Sequence, residues 1–434
     1  FQRGNPAFYT SEAVFGLLSL LLRDYAPLAD RMEALRARLD ATPQLLAEGR
    51  ANVPAAPRAW VESALRDCSG ALALLTNGLP LFLEEHGLSG GNLDNAIGKV
   101  IAAYQEHQAF LKQDCRSLSP EAYACGPEAL ALYLREGHCL NESAGEILAI
   151  ATAELDESAA RLREGAATFG ATDWQAALAR LAGDHPSLET YDTVYQSTWE
   201  AATSFAIERG LISWPDYPIR YTPRPVWARS CAPWLYFLFY RSPAAFDDVP
   251  VVEYLYEPLN AGDQPSDLNN FLRSHNHSVI RLNHVIHHGG LGHHVQNWHA
   301  FHAPSRVGQG AAIDCASRIA MPCGGTMAEG WACYATDLMG EHGFLTEFER
   351  YSLHHQRLRM AARAVVDIKL HTGLASFDDV AGFYQSEVGI PAVAAQAGMV
   401  RVGRAAGRGT PTPSQDGGAA PGAGRQKKDD NHVV

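Results

Sequence analysis

Histidine is concentrated in one short segment of this 434-residue chain. Nine of its 18 histidines lie between His275 and His302. Neutral imidazole is the commonest protein ligand for a metal, and zinc needs several such donors at about 2.0 to 2.1 Å. The segment therefore predicts a metal site that holds one divalent ion per chain, with zinc as the expected ion.

His284 and His288 have the spacing found in zinc-binding helices. Residues four apart lie on the same face of a regular helix, and two histidines in this H-x-x-x-H arrangement hold zinc in metalloproteases. Those enzymes carry a glutamate directly after the first histidine, whereas this chain has Val285 there. The spacing thus permits a metal but provides no glutamate base at that position.

His287 and His293 are six residues apart, so a continuous helix would point their side chains about 120° apart. They can converge only if the helix breaks between them. Gly289, Gly290 and Gly292 lie in that interval, and glycine ends helices in the left-handed conformation at little cost. We therefore expect the helix to break at these glycines and the two histidines to converge.

The elements around this segment are predicted to be helical. Apolar residues recur at three- and four-residue spacing over most of the chain. Prolines between Pro215 and Pro233, together with an aromatic and β-branched stretch, predict a minor β element near residues 226–256. Helices are expected in seven segments before it, namely residues 12–22, 26–39, 55–65, 92–111, 144–165, 175–181 and 185–208.

These patterns favour a mainly α protein, a large helical domain with two lobes around a cleft. We predict a helical N-terminal lobe over residues 1–210 and a lobe with the metal site over residues 211–400. From about residue 401 the sequence is rich in glycine, arginine and proline without a hydrophobic period, so residues 401–434 are expected to be a disordered tail. This tail and the first residue, Phe1, suggest a truncated or frame-shifted gene.

Charge and composition narrow the classes of partner. The formal net charge is −13 and no basic stripe alternates with aromatic residues, so no nucleic-acid partner is expected. The longest apolar run, residues 15–22, is far shorter than the roughly 20 residues that span a bilayer, so no membrane partner is expected. Eight cysteines without a C-x-x-C pair predict reduced thiols and a cytoplasmic location. A peptide or another small molecule remains as the expected partner, and the oligomeric state is not predicted.

Two motifs resemble those of a bacterial family, the domain of unknown function 885. The family pattern H-E-x-x-P-G-H-H-x-Q corresponds to H-H-G-G-L-G-H-H-V-Q at residues 287–296, and E-G-W-A-x-Y corresponds to E-G-W-A-C-Y at residues 329–334. Other segments between residues 5 and 397 are similar as well. The resemblance implies a mostly helical fold and a site like that of a zinc metallopeptidase, with His287, His293 and Glu329 as metal ligands.

The chain departs from the family pattern at the residue expected to act as general base. His288 stands where the family has glutamate, and Leu291 stands where it has proline. A histidine with a pKa near 6.5 can accept a proton at neutral pH, but beside a divalent cation it could instead become a further ligand. The roles of base, of ligand and of a residue outside the chemistry all stay open for His288.

A helical stripe provides candidates for substrate binding. Arg359, Arg363, Asp367 and His371 follow one another at four-residue steps, so they share one helix face. Such a stripe is ordinarily a salt-bridged surface. Because the segment also resembles the family, we predict a cleft face in which Arg363 or His371 binds a substrate carboxylate or stabilises an oxyanion.

Two functions fit these residues. The first is a metal-dependent hydrolase that cleaves peptide or small amide bonds through a metal-activated water. His288 would then accept the proton, and Arg363 or His371 would hold the substrate. The second is a non-catalytic metal- or ligand-binding helical protein that has lost its base. The two functions differ in whether another carboxylate can act as the base. None lies just before Glu329, and Asp314 is the nearest acidic residue upstream.

Overall fold

Helices form most of the computed structural model, and its described strands make two short parallel pairs. The predicted mainly α fold with a minor β element is therefore confirmed. The predicted tail at residues 401–434 and the acidic candidate Asp314 lie outside the described residues. The structure describes residues 3–215, 217–235, 251–259, 264–310 and 325–389.

The first half of the chain is a succession of helices with one strand pair, β1 (Ala55–Pro57) and β2 (Arg116–Leu118). Each of the seven predicted helical segments overlaps a helix, although residues 55–57 pair as a strand. The α-helices are α1 (Pro6–Leu22), α2 (Leu28–Asn52), α3 (Arg58–Ala73), α4 (Leu79–Glu85), α5 (Gly91–Gln113), α6 (Pro127–Leu132), α7 (Ala144–Gly165), α8 (Trp174–Leu181) and α9 (Tyr191–Glu208).

The second half contains the other strand pair, β3 (Ile219–Pro223) and β4 (Val252–Tyr256). A π-helix spans Ile280–Gly289 and continues directly from the helix before it. The α-helices described here are α10 (Val226–Arg229), α11 (Pro265–Ser274), α12 (His277–Val279), α13 (His293–Phe301), α14 (Arg306–Gly310), α15 (Gly325–Glu341), α16 (Glu347–His371) and α17 (Phe377–Val388).

Several helices begin at side chains that satisfy the free N–H groups of the first turn. Ser143 and Thr346 each form a capping box with the glutamate three residues on, and Ser376 forms one with Asp379. Asn5 accepts a hydrogen bond from the Ala7 N–H at the start of α1. These local bonds fix where the long helices begin, since an uncapped first turn leaves its N–H groups without intrahelical partners.

The β element differs in part from the prediction. Strand β4 lies within the expected region 226–256, and it pairs in parallel with β3, so that Ile219 faces Val252. The start of that region, however, is the helical turn α10. This turn buries Trp227 edge-on against Phe82, with ring centroids 5.6 Å apart. The burial of this large aromatic side chain accounts for a turn in place of an extended strand.

Three large hydrophobic clusters and one small one form the core, and each of the large ones draws residues from both sides of residue 210. The first joins α1–α5 to α10, the second joins α9 to the β3–β4 pair, the π-helix and α15, and the third joins α7 and α8 to α16 and α17. The division into lobes at residue 210 stays a prediction. The π-helix of the histidine-rich segment packs in the second cluster. No helix in the described part of the chain combines the length and the apolar character needed to cross a bilayer.

Candidate metal centre

The histidine-rich segment enters the site as a π-helix. In a π-helix each hydrogen bond spans one residue more than in an α-helix, and such turns are frequent at functional sites. The rings of the adjacent His287 and His288 lie on its last turn with centroids 4.7 Å apart. Two neighbouring imidazoles are thereby presented close together at the end of one element.

The glycines after His287 end the π-helix, as predicted. None of Gly289, Gly290 and Gly292 has a positive φ, so the expected left-handed conformation is wrong. The reason for glycine is close approach. A Cβ on Gly292 would lie 1.8 Å from the carbonyl oxygen of His287, and a Cβ on Gly290 would lie 2.8 Å from that of Val285. The chain can double back on itself only where no side chain intervenes.

The break lets the next helix, α13, begin at His293 and turn that side chain towards His287. Their ring centroids are 4.8 Å apart, and the rings are nearly perpendicular, at 89°. Each of His287, His288 and His293 has a ring nitrogen within 4.8 Å of one on the others. The predicted convergence of His287 and His293 is therefore confirmed.

Glu329 joins these histidines from α15. Its Oε2 lies 3.3 Å from Nε2 of His287 and 3.5 Å from Nε2 of His293, and the residue is 3% exposed. Burial acts to raise the pKa of Glu329, but the side chains of His293 and His287 outweigh it and leave the pKa below its usual range. The three side chains predicted to bind a metal thus meet at one place, where Glu329 and His287 are buried and His293 is partly exposed.

The donor spacing fits a zinc ion. Ligand atoms placed tetrahedrally at about 2.0 to 2.1 Å from zinc lie about 3.3 Å from one another. The measured separations of Glu329 Oε2 from the nitrogens of His287 and His293 match that value. Two imidazoles and a carboxylate are also the donor set of several catalytic zinc sites. The residues therefore fit the ion that the sequence predicts.

His288 is held in one orientation beside this set. Its Nδ1 donates to the carbonyl oxygen of Asn283 at 2.7 Å, which leaves the lone pair on Nε2. Burial, and then the neighbouring His287 and His293, lower the pKa of His288 well below its ordinary value. A neutral imidazole with one committed nitrogen can act as a base or as a ligand, so the geometry is compatible with both predicted roles.

Three aromatic side chains form hydrogen bonds with the π-helix. The Tyr254 hydroxyl, from β4, is 2.5 Å from Nδ1 of His284, and the Tyr221 hydroxyl, from β3, donates to the carbonyl of His284 at 3.1 Å. The indole of Trp199 donates to the carbonyl of Gly289 at 2.8 Å. The minor β element is thus a support for the site. His284 belongs to this support, and it lies outside the group of three converging imidazoles.

Sequence reasoning missed these supporting residues. Their identity depends on contacts between segments far apart in the chain, which no local spacing reveals. The one available signal was the aromatic, β-branched stretch V-E-Y-L-Y at residues 252–256, which indicated a strand. It did not show that Tyr254 would face a histidine.

The predicted stripe on α16 is mostly buried. Asp367 and His371 are 3% and 1% exposed, and Nε2 of His371 lies 3.6 Å from Asp367 Oδ1. Nδ1 of His371 accepts a hydrogen bond from the backbone N–H of Cys125 at 3.3 Å. Arg363 is half-buried, whereas Arg359 is exposed. The described contacts of His371 lie with Cys125, Tyr123 and Asp367, and the predicted catalytic roles of Arg363 and His371 stay predictions.

The remaining histidines of the segment have structural surroundings. His294 is fully buried, stacks on Tyr217 with centroids 4.8 Å apart, and donates to the Tyr217 carbonyl. His302 stacks on Trp298. His275 stacks on Phe271. The abundance of histidine thus reflects aromatic packing as well as the converging group.

Comparison with known proteins gives the family. A model of bacterial proteins of unknown function, DUF885, matches residues 5–407. The chain belongs to this family. A candidate lipoprotein of unknown function from Shewanella oneidensis has a similar structure, with a TM-score of 0.67 and 18% identity, over 93% of this chain and 73% of that one.

A candidate lipoprotein from Colwellia psychrerythraea is similar too, with a TM-score of 0.65 and 16% identity, over 88% of this chain and 67% of that one. No curated protein matches the DUF885 chain. At these identities the likeness shows the fold alone. Any activity must therefore be argued from the site itself.

Proposed function

We propose that this DUF885 protein is a metal-dependent hydrolase, similar to a zinc metallopeptidase, that cleaves peptide or small amide bonds. The observation that supports it most is the spacing of Glu329 Oε2 from Nε2 of His287 and of His293, 3.3 and 3.5 Å. These three residues would hold one zinc or similar divalent ion per chain. Burial of Glu329 favours such a site, because a buried carboxylate needs a cationic partner.

When bound, zinc polarises a carbonyl and lowers the pKa of a coordinated water. The chain then has to accept a proton, and His288 is the proposed acceptor. Its Nδ1 is committed to the Asn283 carbonyl, so Nε2 is the atom that would take the proton. Burial keeps His288 neutral, so the lone pair of Nε2 can accept a proton, but the lowered pKa makes this nitrogen a weaker base than an ordinary imidazole.

The substrate also has to be held. Arg363 and His371 were both predicted for this task, and Arg363 is the better candidate. Arg363 is half-buried, whereas His371 is 1% exposed and so is less accessible to a substrate. A guanidinium can bind a substrate carboxylate through two parallel hydrogen bonds. We therefore propose Arg363 as the substrate-binding residue.

A second candidate function is supported by the position of His288. A ring nitrogen of His288 lies within 4.8 Å of those of His287 and His293, so His288 could supply a third imidazole to the ion. The chain would then lack its proton acceptor, and the protein would bind a metal or an organic ligand without turnover. The two candidates differ in what His288 does.

The first test is the metal content of the purified chain, measured by plasma mass spectrometry. We expect about one divalent ion per chain, lost in Glu329→Ala. Glu341→Gln, an exposed position at the end of the same helix, is the matched control and should keep the ion. Absence of metal from the parent chain would contradict the hydrolase, and would leave of the second candidate only the binding of an organic ligand.

The second test separates hydrolase from binding protein. Hydrolysis of a panel of internally quenched peptides would be measured for the parent, His288→Gln and His288→Glu. If the parent is active and His288→Gln is inactive but keeps its metal, the result supports His288 as the general base. If only His288→Glu is active, the parent has a metal and no competent base, and the binding protein is the better description.

The cytoplasmic location and the partner classes are also proposals. The six cysteines in the described part of the chain are all free thiols, as expected for a reducing compartment. The net charge of −13 disfavours nucleic acid. A peptide or other small molecule stays the proposed partner.

A further inference from the structure

We infer that His138 is a positioning residue for the metal centre, because it holds the first turn of α15 and so the carboxylate of Glu329. The inference rests on the proposed function, since it concerns how tightly the ion is held. His138 lies directly after the π-turn Tyr133–Gly137, in the first half of the chain. Neither local spacing nor the family motifs single it out.

The contact joins two distant segments. Nδ1 of His138 lies 2.5 Å from the hydroxyl oxygen of Thr326, which is 188 residues further along the chain. His138 is 9% exposed, so water competes little for this hydrogen bond. Thr326 is the second residue of α15 and precedes Glu329 by three residues. Residues three apart on a helix lie on adjoining positions of one face, so the bond fixes the turn that carries the carboxylate.

The backbone beside His138 is fixed in an uncommon conformation. Cys139 has a φ of 55°, and it is the one non-glycine residue with positive φ in the part of the chain that the structure describes. This region disfavours a side chain with a Cβ and persists where surrounding contacts impose it. The N–H groups of His138 and Leu140 donate to the carbonyls of Tyr133 and Leu134, each at 2.9 Å. The loop therefore presents the imidazole in one direction.

Hydrogen bonds fix α15 on both sides of Glu329 in the sequence. The His138–Thr326 bond fixes the turn before it. Two residues after it, the indole of Trp331 donates to the carbonyl of Leu291 at 2.8 Å, in the loop between His287 and His293. A displacement well below 1 Å would take Oε2 out of range of both imidazoles.

The test is the zinc affinity of the full chain, measured by competition with a chromophoric chelator. We expect His138→Ala and Thr326→Val each to weaken zinc binding about tenfold, the range for residues that orient a metal ligand. His138→Asn, which can place a polar atom near the former Nδ1, should recover most of the affinity. Because one bond is involved, the double variant should be no weaker than either single variant.

A matched control removes another buried histidine. His107 is fully buried, and its Nδ1 contacts the Leu46 carbonyl at 3.1 Å within the first cluster. His107→Ala should lower the melting temperature and leave zinc affinity within about twofold. Unchanged affinity in His138→Ala, additive losses in the double variant, or no recovery in His138→Asn would each overturn the inference while leaving the metal centre in place. A parent chain that binds no zinc overturns the proposed function and this inference together.

Discussion

Two buried clusters of imidazole and carboxylate occur in the described structure, and they differ in how many elements supply them. The α16 pair sits on one helix and consists of Asp367 and His371. The metal-centre cluster draws on the π-helix, α13 and α15, and consists of His287, His288, His293 and Glu329.

The difference is one of convergence, since both clusters combine imidazole with a buried carboxylate. In the α16 pair, one nitrogen of His371 faces one oxygen of Asp367 at 3.6 Å, and the other nitrogen accepts a backbone N–H. In the metal-centre cluster, one oxygen of Glu329 faces two nitrogens at once. Few side chains of one regular helix can reach the same metal ion, so a metal site needs a break in the helix or ligands from a second element. The glycines after His287 provide that break.

The largest expected effect is on metal affinity. His293→Asn removes one of three proposed ligands, and we expect zinc binding to weaken by at least about 100-fold, more than the loss of an outer-shell partner. His371→Asn removes an equally typical buried histidine from the α16 pair and should change the zinc affinity by less than about twofold. Competition with a chelator measures both. Equal losses in the two variants would contradict the distinction between the clusters.

A second comparison uses glycine. In Gly292→Ala the new Cβ would lie 1.8 Å from the carbonyl oxygen of His287, and backbone cannot yield cheaply, so we expect a loss of about 3 kcal/mol or more in the free energy of unfolding. Gly382 lies on α17, beside α16, with open space around it. Gly382→Ala should stabilise the protein by about 0.5 to 1 kcal/mol. Urea denaturation checks both signs.

The sequence predicted the regular parts of the molecule better than the site. Apolar spacing located the long helices of the first half of the chain, because each buries apolar residues that recur at helical spacing. The meeting of His287 with His293 followed from spacing and glycines. Only the family resemblance indicated Glu329, since no local pattern shows which carboxylate reaches the histidines.

What could not be predicted depends on contacts between distant segments. The π-helical winding shows no distinct periodicity in ten residues. The support of His284 by Tyr254 and Tyr221 requires β3 and β4 to pair behind it. The bond from His138 to Thr326 spans 188 residues. The left-handed conformation expected for the glycines was wrong for a similar reason. Glycine is required there by the nearby carbonyl oxygens, and the φ angles of the glycines do not require it.

The α16 pair should contribute to acid sensitivity. Burial lowers the pKa of His371 to about 4 from an ordinary value of 6.5, so the unfolded chain binds more protons between these two pH values. Stability is therefore full above about pH 6.5 and falls as the pH drops towards 4, by roughly 3 kcal/mol at most from this residue. Asp367, Cys125 and Tyr123 face the ring.

Removing the imidazole should remove this dependence. In His371→Asn we expect a flatter curve of unfolding free energy against pH between 6.5 and 4 than in the parent, measured by urea denaturation at several pH values. Other buried histidines, such as His107 with a pKa of about 4, act in both proteins and cancel in the difference. Parallel curves would show that His371 is not held neutral by burial.

The smallest expected effect compares two tyrosine hydroxyls. Tyr254→Phe removes the bond to Nδ1 of His284 behind the π-helix, and Tyr351→Phe removes the bond to the Leu162 carbonyl that ties α16 to α7, at 2.8 Å. Each should lower the free energy of unfolding by about 1 kcal/mol, as for one buried hydrogen bond. Only Tyr254→Phe should also weaken zinc binding, by a few-fold, because only that hydroxyl supports the helix that carries His287. If Tyr351→Phe weakens zinc binding as much as Tyr254→Phe does, then zinc affinity follows the overall stability of the fold. The β3–β4 pair would then have no specific part in positioning the zinc ligands.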